Sequence, residues 1–291
     1  IQYVMVKLQD KLKFRDDFPP VSTEEWEKKI HTDLKGADYR KKLIWKPLEG
    51  FEIRPYYRKE DLEGLKYMGA KPAEFPYVRS KNDDKNEWFI RQDIDATKDT
   101  SKANKKALDV LNKGVDSLGF ILDENNEPGK KEFDALLKDV CIPAIELNFV
   151  ANHASHTVVD HLQSKIKEDN TAAAEVRGSV DFHPIGNLNL KGKFCRSAEY
   201  SFDRCKDLMD KVKDLPHFTG IQVDGFAIHN AGATNVQELA LVLAMGNEYM
   251  ANLTERGLSI DEIAPNIRVK LGIGPAYFLE IAKLRAARML W

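Results

Sequence analysis

Residues 217–236, HFTGIQVDGFAIHNAGATNV, decide how the chain is read. Thr219 to Val223 is a short apolar strand that runs into Asp224-Gly225. The pattern breaks at Asn230-Ala231-Gly232-Ala233 and resumes as the long apolar helix QELALVLAMGNEYM. Thr234 followed three residues later by Gln237 forms a capping box, so the helix begins with its first amides satisfied. Strand, small-residue loop and capped helix make one βα unit. In barrels of such units the chemistry sits on the loop leaving the C-terminal end of the strand.

The same unit repeats in architecture on the N-terminal side. A helix over Ser101–Asn112 leads to a strand at Leu118–Leu122, and one over Lys130–Leu137 leads to Ile145–Val150. A third, around Thr157–Lys167, leads to Val176–Phe182, and a fourth to the strand at 217–223. The capped helix leads to Ile267–Ile273, and a last helix covers Tyr277–Trp291. Such alternation gives right-handed crossovers and a parallel sheet. The expected class is therefore α/β, of the (β/α)8 TIM-barrel type, with about five βα units where a closed barrel takes eight. Before it, residues 1–82 read as an extended arm. Ser22-Thr23-Glu24-Glu25 starts a helix carrying Trp26, Ile30 and Leu34. Leu43-Ile44-Trp45 and Phe51-Glu52-Ile53 read as short strands, and Tyr56, Tyr57, Phe75 and Tyr77 follow. An arm so aromatic, with little core pattern, needs a surface to pack on, either the barrel (residues 83–291) or a partner subunit.

The 291 residues are 43% hydrophobic and 31% charged, which suits a globular protein with a core, and the formal net charge of -2 gives no electrostatic case for nucleic acid or an anionic membrane. Cys141, Cys195 and Cys205 are an odd number without a CxxC, which fits reduced thiols and a cytoplasmic location. No apolar run has the length of a membrane span.

Alternate strand residues separate by chemistry. One set is apolar (Leu147, Phe149, Val180, Ile221, Val223, Val269). The other holds the acids Glu146, Asp181 and Asp224 and the bases Arg177, Arg268 and Lys270. With helices outside, the apolar set faces them and the charged set faces the lumen. Charge buried on that scale must be paired. Two readings follow: a salt-bridged plug that leaves no room for a substrate, or a polar catalytic pocket built from the same residues.

Three shorter motifs invite chemistry. His153, His156 and Asp160, with His161 beside them, have the spacing of metal ligands on one helix face, and equally that of surface histidines. Asp181-Phe182-His183-Pro184-Ile185-Gly186 matches D-x-H-x-x-G, by which a flavodoxin-like domain offers histidine to cobalamin, yet it stands at the end of a barrel strand. Leu271-Gly272-Ile273-Gly274-Pro275 lacks the third glycine of a nucleotide loop, so close strand–helix packing explains it better.

Several stretches together resemble methylmalonyl-CoA mutase: EEWEKKIHTDLKG (24–36), FPYVRS (75–80), WFIRQ (88–92), HNAGATNVQELALVLAMGNEYM (229–250), GLSIDEIAP (257–265) and GIGPAYFLEIAKLRAARMLW (272–291). They keep the family's order across nearly the whole chain. The resemblance implies an N-terminal arm, a (β/α)8 barrel holding acyl-CoA and a C-terminal cobalamin domain, with adenosylcobalamin-dependent interconversion of methylmalonyl-CoA and succinyl-CoA. It places the end of this chain after the fifth barrel strand and its helix, with the cobalamin-binding-like domain absent.

The departures matter as much. The family's catalytic chains resemble R-P-W-T-I-R-Q-Y where this chain has Asn86 to Asp93, so Asp93 stands for the tyrosine that shields the radical and Asn86 for an arginine that holds the thioester ligand. They read G-Y-H-M-Q-E-A-G-A where this chain has Gly225 to Ala233, so Ala227 replaces the histidine beside the migrating thioester, and His229 lies two places on. Alanine offers no hydrogen bond, and a carboxylate at position 93 repels an anionic acyl-CoA. The chain is thus similar to the small, non-catalytic subunit of a heterodimeric mutase. This reading implies no catalytic, cofactor or metal residues here, and a large partner that carries adenosylcobalamin and meets acyl-CoA. The alternatives are an active acyl-CoA mutase of altered specificity, using His229 and Asp93, and an unrelated barrel hydrolase using Glu146, Asp181 and Asp224.

Overall fold

A computed structural model describes residues 18–83, 85, 87–123 and 126–291. They fall into two compact units, one ending at Leu65 and the other running from Lys66 to Trp291. The division comes earlier than the expected one near residue 82.

In the first unit, helix α1 (Thr23–Asp33) starts as its sequence dictates. Ser22 Oγ accepts the Glu25 amide at 3.2 Å, and the Glu25 carboxylate accepts the Ser22 amide at 3.1 Å. Helix α2 (Tyr39–Leu43) is capped by Asp38. The two expected strands reduce to a single antiparallel bridge, Trp45 to Ile53. Leu43 belongs to the helix, Pro47 has no amide to donate, and a two-stranded ribbon alone is marginal. Trp26 meets Tyr56 edge-on at 5.9 Å, but none of the residues 18–65 is buried.

The second unit is built on six parallel strands in the order of the chain: β1 (Arg91–Asp95), β2 (Ser117–Ile121), β3 (Glu146–Val150), β4 (Arg177–Phe182), β5 (His217–Asp224) and β6 (Ile267–Lys270). The crossovers carry α3 (Thr100–Leu111), α4 (Lys130–Leu136), α5 (Ser155–Glu168), α6 (Pro184–Lys191), α7 (Ala198–Val212), α8 (Phe226–Asn230), α9 (Asn235–Glu255) and α10 (Ile260–Ile263), and α11 (Tyr277–Leu290) follows β6. This is an α/β fold of partial TIM-barrel type. It has one strand more than expected. β1, RQDID, contributes a single buried residue, Ile94, so it shows no hydrophobic alternation to detect.

Neighbouring strands run in register through most of the sheet, with Asn148 opposite Ser179 and Val223 opposite Val269. Between β4 and β5 the register shifts after Ser179, and Phe182 pairs with Ile221. The apolar strand set packs outward as expected. Leu118, Phe120, Leu147, Phe149 and Val223 are fully buried against helix residues such as Ala107, Val158, Leu162 and Leu208. Phe149 sits between Phe120 and Phe133, at 6.1 and 5.5 Å. Each such side chain contributes about 1.5–3 kcal/mol of burial.

The last helix is held by charge. Glu238 of α9 is fully buried, and Lys283 and Glu280 of α11 nearly so. Lys283 Nζ lies 2.6 Å from Glu238 and 2.7 Å from Glu280, and donates to the Gly272 carbonyl at 2.7 Å. The carboxylates in turn accept the amides of Gly272 and Gly274. The glycine stretch after β6 is therefore a clasp between two helices, and the His229 ring lies where a Cβ on Gly272 would fall. Substituting Lys283→Met leaves two buried carboxylates without their cation and is expected to cost about 3 kcal/mol. Urea denaturation measures it, and a loss within the error of the extrapolation would show the clasp to be slack.

Candidate functional site

The concave side of the sheet carries the polar strand set, joined in two networks. The first joins β2, β3, β4 and β6. Arg268 Nη2 reaches Glu146 Oε1 at 2.8 Å, while its Nη1 donates to Asn148 Oδ1 and to Ser179 Oγ at 3.3 Å. Ser117 Oγ donates to Glu146 Oε2 at 2.7 Å, Asn148 Nδ2 to the same oxygen at 3.2 Å, and Ser179 Oγ to Asn148 Oδ1 at 2.8 Å. Burial opposes ionisation of Glu146, but Arg268 and the hydrogen bonds from Ser117 and Asn148 outweigh it and hold the carboxyl below its ordinary range. On a flat sheet β3 and β6 stand about 14 Å apart, three spacings of roughly 4.8 Å. An arginine of β6 can touch a glutamate of β3 only because the sheet curls.

The second network lies on β1, β4 and β5. Arg91 Nε pairs with Asp93 at 2.6 Å, and Arg91 Nη2 faces Asp181 at 3.9 Å. Gln222, with its amide turned to donate, reaches both Asp181 oxygens at 3.1 and 3.0 Å, and Ser179 Oγ reaches one at 3.2 Å. A Cβ on Gly119, the β2 residue opposite Asp93, would overlap both the Asp93 carboxylate and the Arg91 guanidinium, so the bare backbone at 119 makes room for the pair. Asp181 is 1% exposed. Burial pushes its carboxyl above the ordinary value, against the pull of Arg91, His183 and Lys270.

Of the six residues expected in one plug, Glu146, Asp181 and Arg268 lie in these networks. The other three have different partners. Arg177 donates to the Pro143 carbonyl at 3.1 Å and stacks over Phe89 at 5.5 Å. Asp224 accepts the Ala227 amide at 3.1 Å and so starts α8, a helix inside what reads in sequence as a loop. Lys270 Nζ sits 5.0 Å above the Phe226 ring. Asp93 belongs to the second network, Ala227 lies in the first turn of α8, and Asn86 lies outside the described residues. Arg91 and Ser117 are the members that pattern reading misses. The signal for Arg91 is Arg-x-Asp directly after the apolar Phe89-Ile90.

The shorter motifs disperse. Both ring nitrogens of His156 meet Arg204, His161 meets the Pro128 carbonyl, and Asp160 pairs with Lys211. Among the described residues no group of three or more His, Cys, Asp or Glu is arranged to hold a metal. His183 is 8% exposed and its ring is packed on Gly186, whose Cβ position would lie 2.8 Å from it. A histidine so enclosed presents little of its ring to solvent.

Comparison with known proteins places this fold. The sequence pattern of the methylmalonyl-CoA mutase family matches residues 128–291. The chain is 41% identical over 97% of its length to the methylmalonyl-CoA mutase small subunit of Porphyromonas gingivalis, covering 45% of that protein. The chain belongs to the methylmalonyl-CoA mutase family. It is also 27% identical to the small subunit of Propionibacterium freudenreichii subsp. shermanii, over 96% of this chain and 44% of that one. To the large subunit of Streptomyces virginiae it is again 27% identical, over 94% of this chain and 40% of that one. This mutase-family chain thus spans less than half the length of the curated relatives it matches, which include proteins named as small and as large subunits. No helix among its described residues is long and apolar enough to cross a membrane.

Asp181 gives this site a pH signature. A carboxyl whose folded pKa is raised favours the fold most below its unfolded value, near 4, and that contribution is lost as pH rises through the folded value. Asp181→Asn removes the charge that must be buried at neutral pH. The variant is expected to be at least as stable as the parent at pH 7 and to show a flatter stability profile above pH 4. Urea titrations across that range check it. A variant destabilised by several kcal/mol at pH 7 would mean that the ionised carboxylate is what Arg91 requires.

Proposed function

We propose that this chain is the non-catalytic small subunit of an adenosylcobalamin-dependent methylmalonyl-CoA mutase, working in a heterodimer with a large catalytic subunit. The complex interconverts methylmalonyl-CoA and succinyl-CoA, an intramolecular transfer of the isomerase class. The observation that supports this most is the filling of the concave face, where the Arg268 guanidinium is satisfied by Glu146, Asn148 and Ser179. Side chains bonded to one another stand on the face where an active barrel would take a thioester.

The residues at the family's reacting positions agree. Asp93 is a carboxylate held by Arg91 on the concave face, where it repels a thioester of the anionic coenzyme A. Ala227 has no side-chain donor for a carbonyl oxygen. Bound in the partner, adenosylcobalamin would supply the radical chemistry, and the buried His183 of this chain offers it no ligand. The role left to this chain is to steady the large subunit. Its first unit is suited to that, with Trp26, Trp45, Phe18 and Leu48 all exposed and no described residue buried.

Calorimetry of the purified chain with succinyl-CoA and with adenosylcobalamin is expected to show no binding at micromolar concentrations, and turnover is expected only when a cobalamin-carrying large chain is present. Micromolar binding of either ligand, or turnover by the chain alone, would overturn the proposal in favour of an active mutase of altered specificity. The double variant Asp93→Tyr, Ala227→His is expected to remain inactive alone, because Arg268 and Glu146 still occupy the lumen. Activity in that variant would show that the two substitutions, and not the filled lumen, silence this chain.

A further inference from the structure

His156 is bound at both ring nitrogens by one residue. Arg204 of α7 brings its Nη2 to within 2.6 Å of His156 Nδ1, and its own carbonyl lies 3.0 Å from Nε2. A guanidinium only donates, so Nδ1 is the acceptor, and the ring proton sits on Nε2 and is donated to the Arg204 carbonyl. The same Nη2 donates to the His153 carbonyl at 3.1 Å. The arginine is thereby tied to the start of α5, with its guanidinium 5.9 Å over the Phe182 ring. The imidazole meets Phe182 edge-on at 5.8 Å. This arrangement accepts a neutral histidine and no other form, since a proton on Nδ1 would remove the acceptor and place a cation against the guanidinium.

We propose that the His156–Arg204 pair is an acid-triggered release for the seam between α5 and α7, opening the loop 152–154 and the first turns of α5 beside the end of β4. The charged groups around the ring come from each element packed on it. α7 brings Arg204, Lys211 and Asp207, of which the first two disfavour a charged imidazole and Asp207 favours it. α5 brings Asp160, which is held by Lys211. β4 brings the Phe182 ring. Burial and Arg204 together take the imidazole down to about 4. The sign follows. A histidine kept neutral in the fold contributes stability that is complete above the unfolded value near 6.5 and is lost as pH falls toward 4. At the far end of the seam Gln163 donates to the Lys211 carbonyl at 2.6 Å, a bond between groups that carry no charge, so the opening is local.

Phe182 links this seam to the lumen, since its chain neighbours are Asp181 and His183. The release therefore acts beside the residue that anchors the second polar network, and it stands independently of the chain's role as a subunit.

Residue-resolved hydrogen exchange on the full chain at pH 7 and pH 4.5, corrected for intrinsic rates, tests the proposal. Amides in 152–160 and 198–206 are expected to lose at least tenfold protection at the lower pH relative to those of α3. The His156→Gln variant, which cannot gain charge, is expected to lack that acid-dependent loss. Equal loss in the variant, or none in the parent, would overturn the proposal. If the variant does not fold, NMR titration of the parent decides. The His156 ring must protonate well below its ordinary value and in step with the loss of protection. Protonation near 6.5, or with protection unchanged, sinks it.

Discussion

Buried charge must find a partner, and most of this barrel's inner geometry follows from that requirement. The concave face of a parallel sheet could have been filled with aliphatic side chains, and replacement of a buried ion pair by apolar residues is often neutral or stabilising. Stability therefore does not explain the charges here. What Arg268 does fix is shape. Its guanidinium is satisfied only if β6 comes round to β3 and β4, so the polar residues specify how far the sheet curls. Arg91 and Asp181 repeat the logic between β1 and β4 at a looser 3.9 Å.

The outer face obeys a different rule. Leu147, Phe149 and Val223 pack against helices by size and shape, and their burial supplies the driving force. One charged cluster intrudes there, at the clasp of Glu238, Lys283 and Glu280. Two carboxylates around one ammonium are tolerable because backbone amides of Gly272 and Gly274 satisfy further oxygens. The clasp and the lumen networks use the same chemistry for different ends. One fixes a helix to a loop, and the other fixes strand to strand across a gap.

The longer crossover helices and five of the six strands could be read from sequence because their signals are local. Thr234 and Gln237 cap α9 whatever surrounds them, and the alternation in 217–223 needs no neighbours to be seen. What lay beyond reading depended on other strands. β1 is charged along most of its length, since Arg91 and Asp93 answer to Gly119 and Asp181, while only Ile94 joins the core. Asp224 matches the other lumen acids in sequence, but it is the last residue of its strand and finds the nearer Ala227 amide first. The clasp was hidden because Glu238 stands in an apolar helix run where an acid reads as surface, and its cation lies forty-five residues on.

The choice between plug and pocket turns on how completely the carboxylates are engaged. A catalytic acid or base needs an oxygen free to meet a substrate proton. Glu146 has one oxygen on Arg268 and the other shared by Ser117 and Asn148, which leaves little capacity for a third party. Asp181 is buried, with Gln222 across both oxygens. Asp93 is the most exposed of the three, yet its bond to Arg91 fits only because Gly119 carries no side chain. A pocket would have to break these bonds before it could bind anything, and each broken bond leaves a buried polar group that costs about 1–3 kcal/mol. With several to break at once, these engaged carboxylates are the physical ground on which the proposed plug rests.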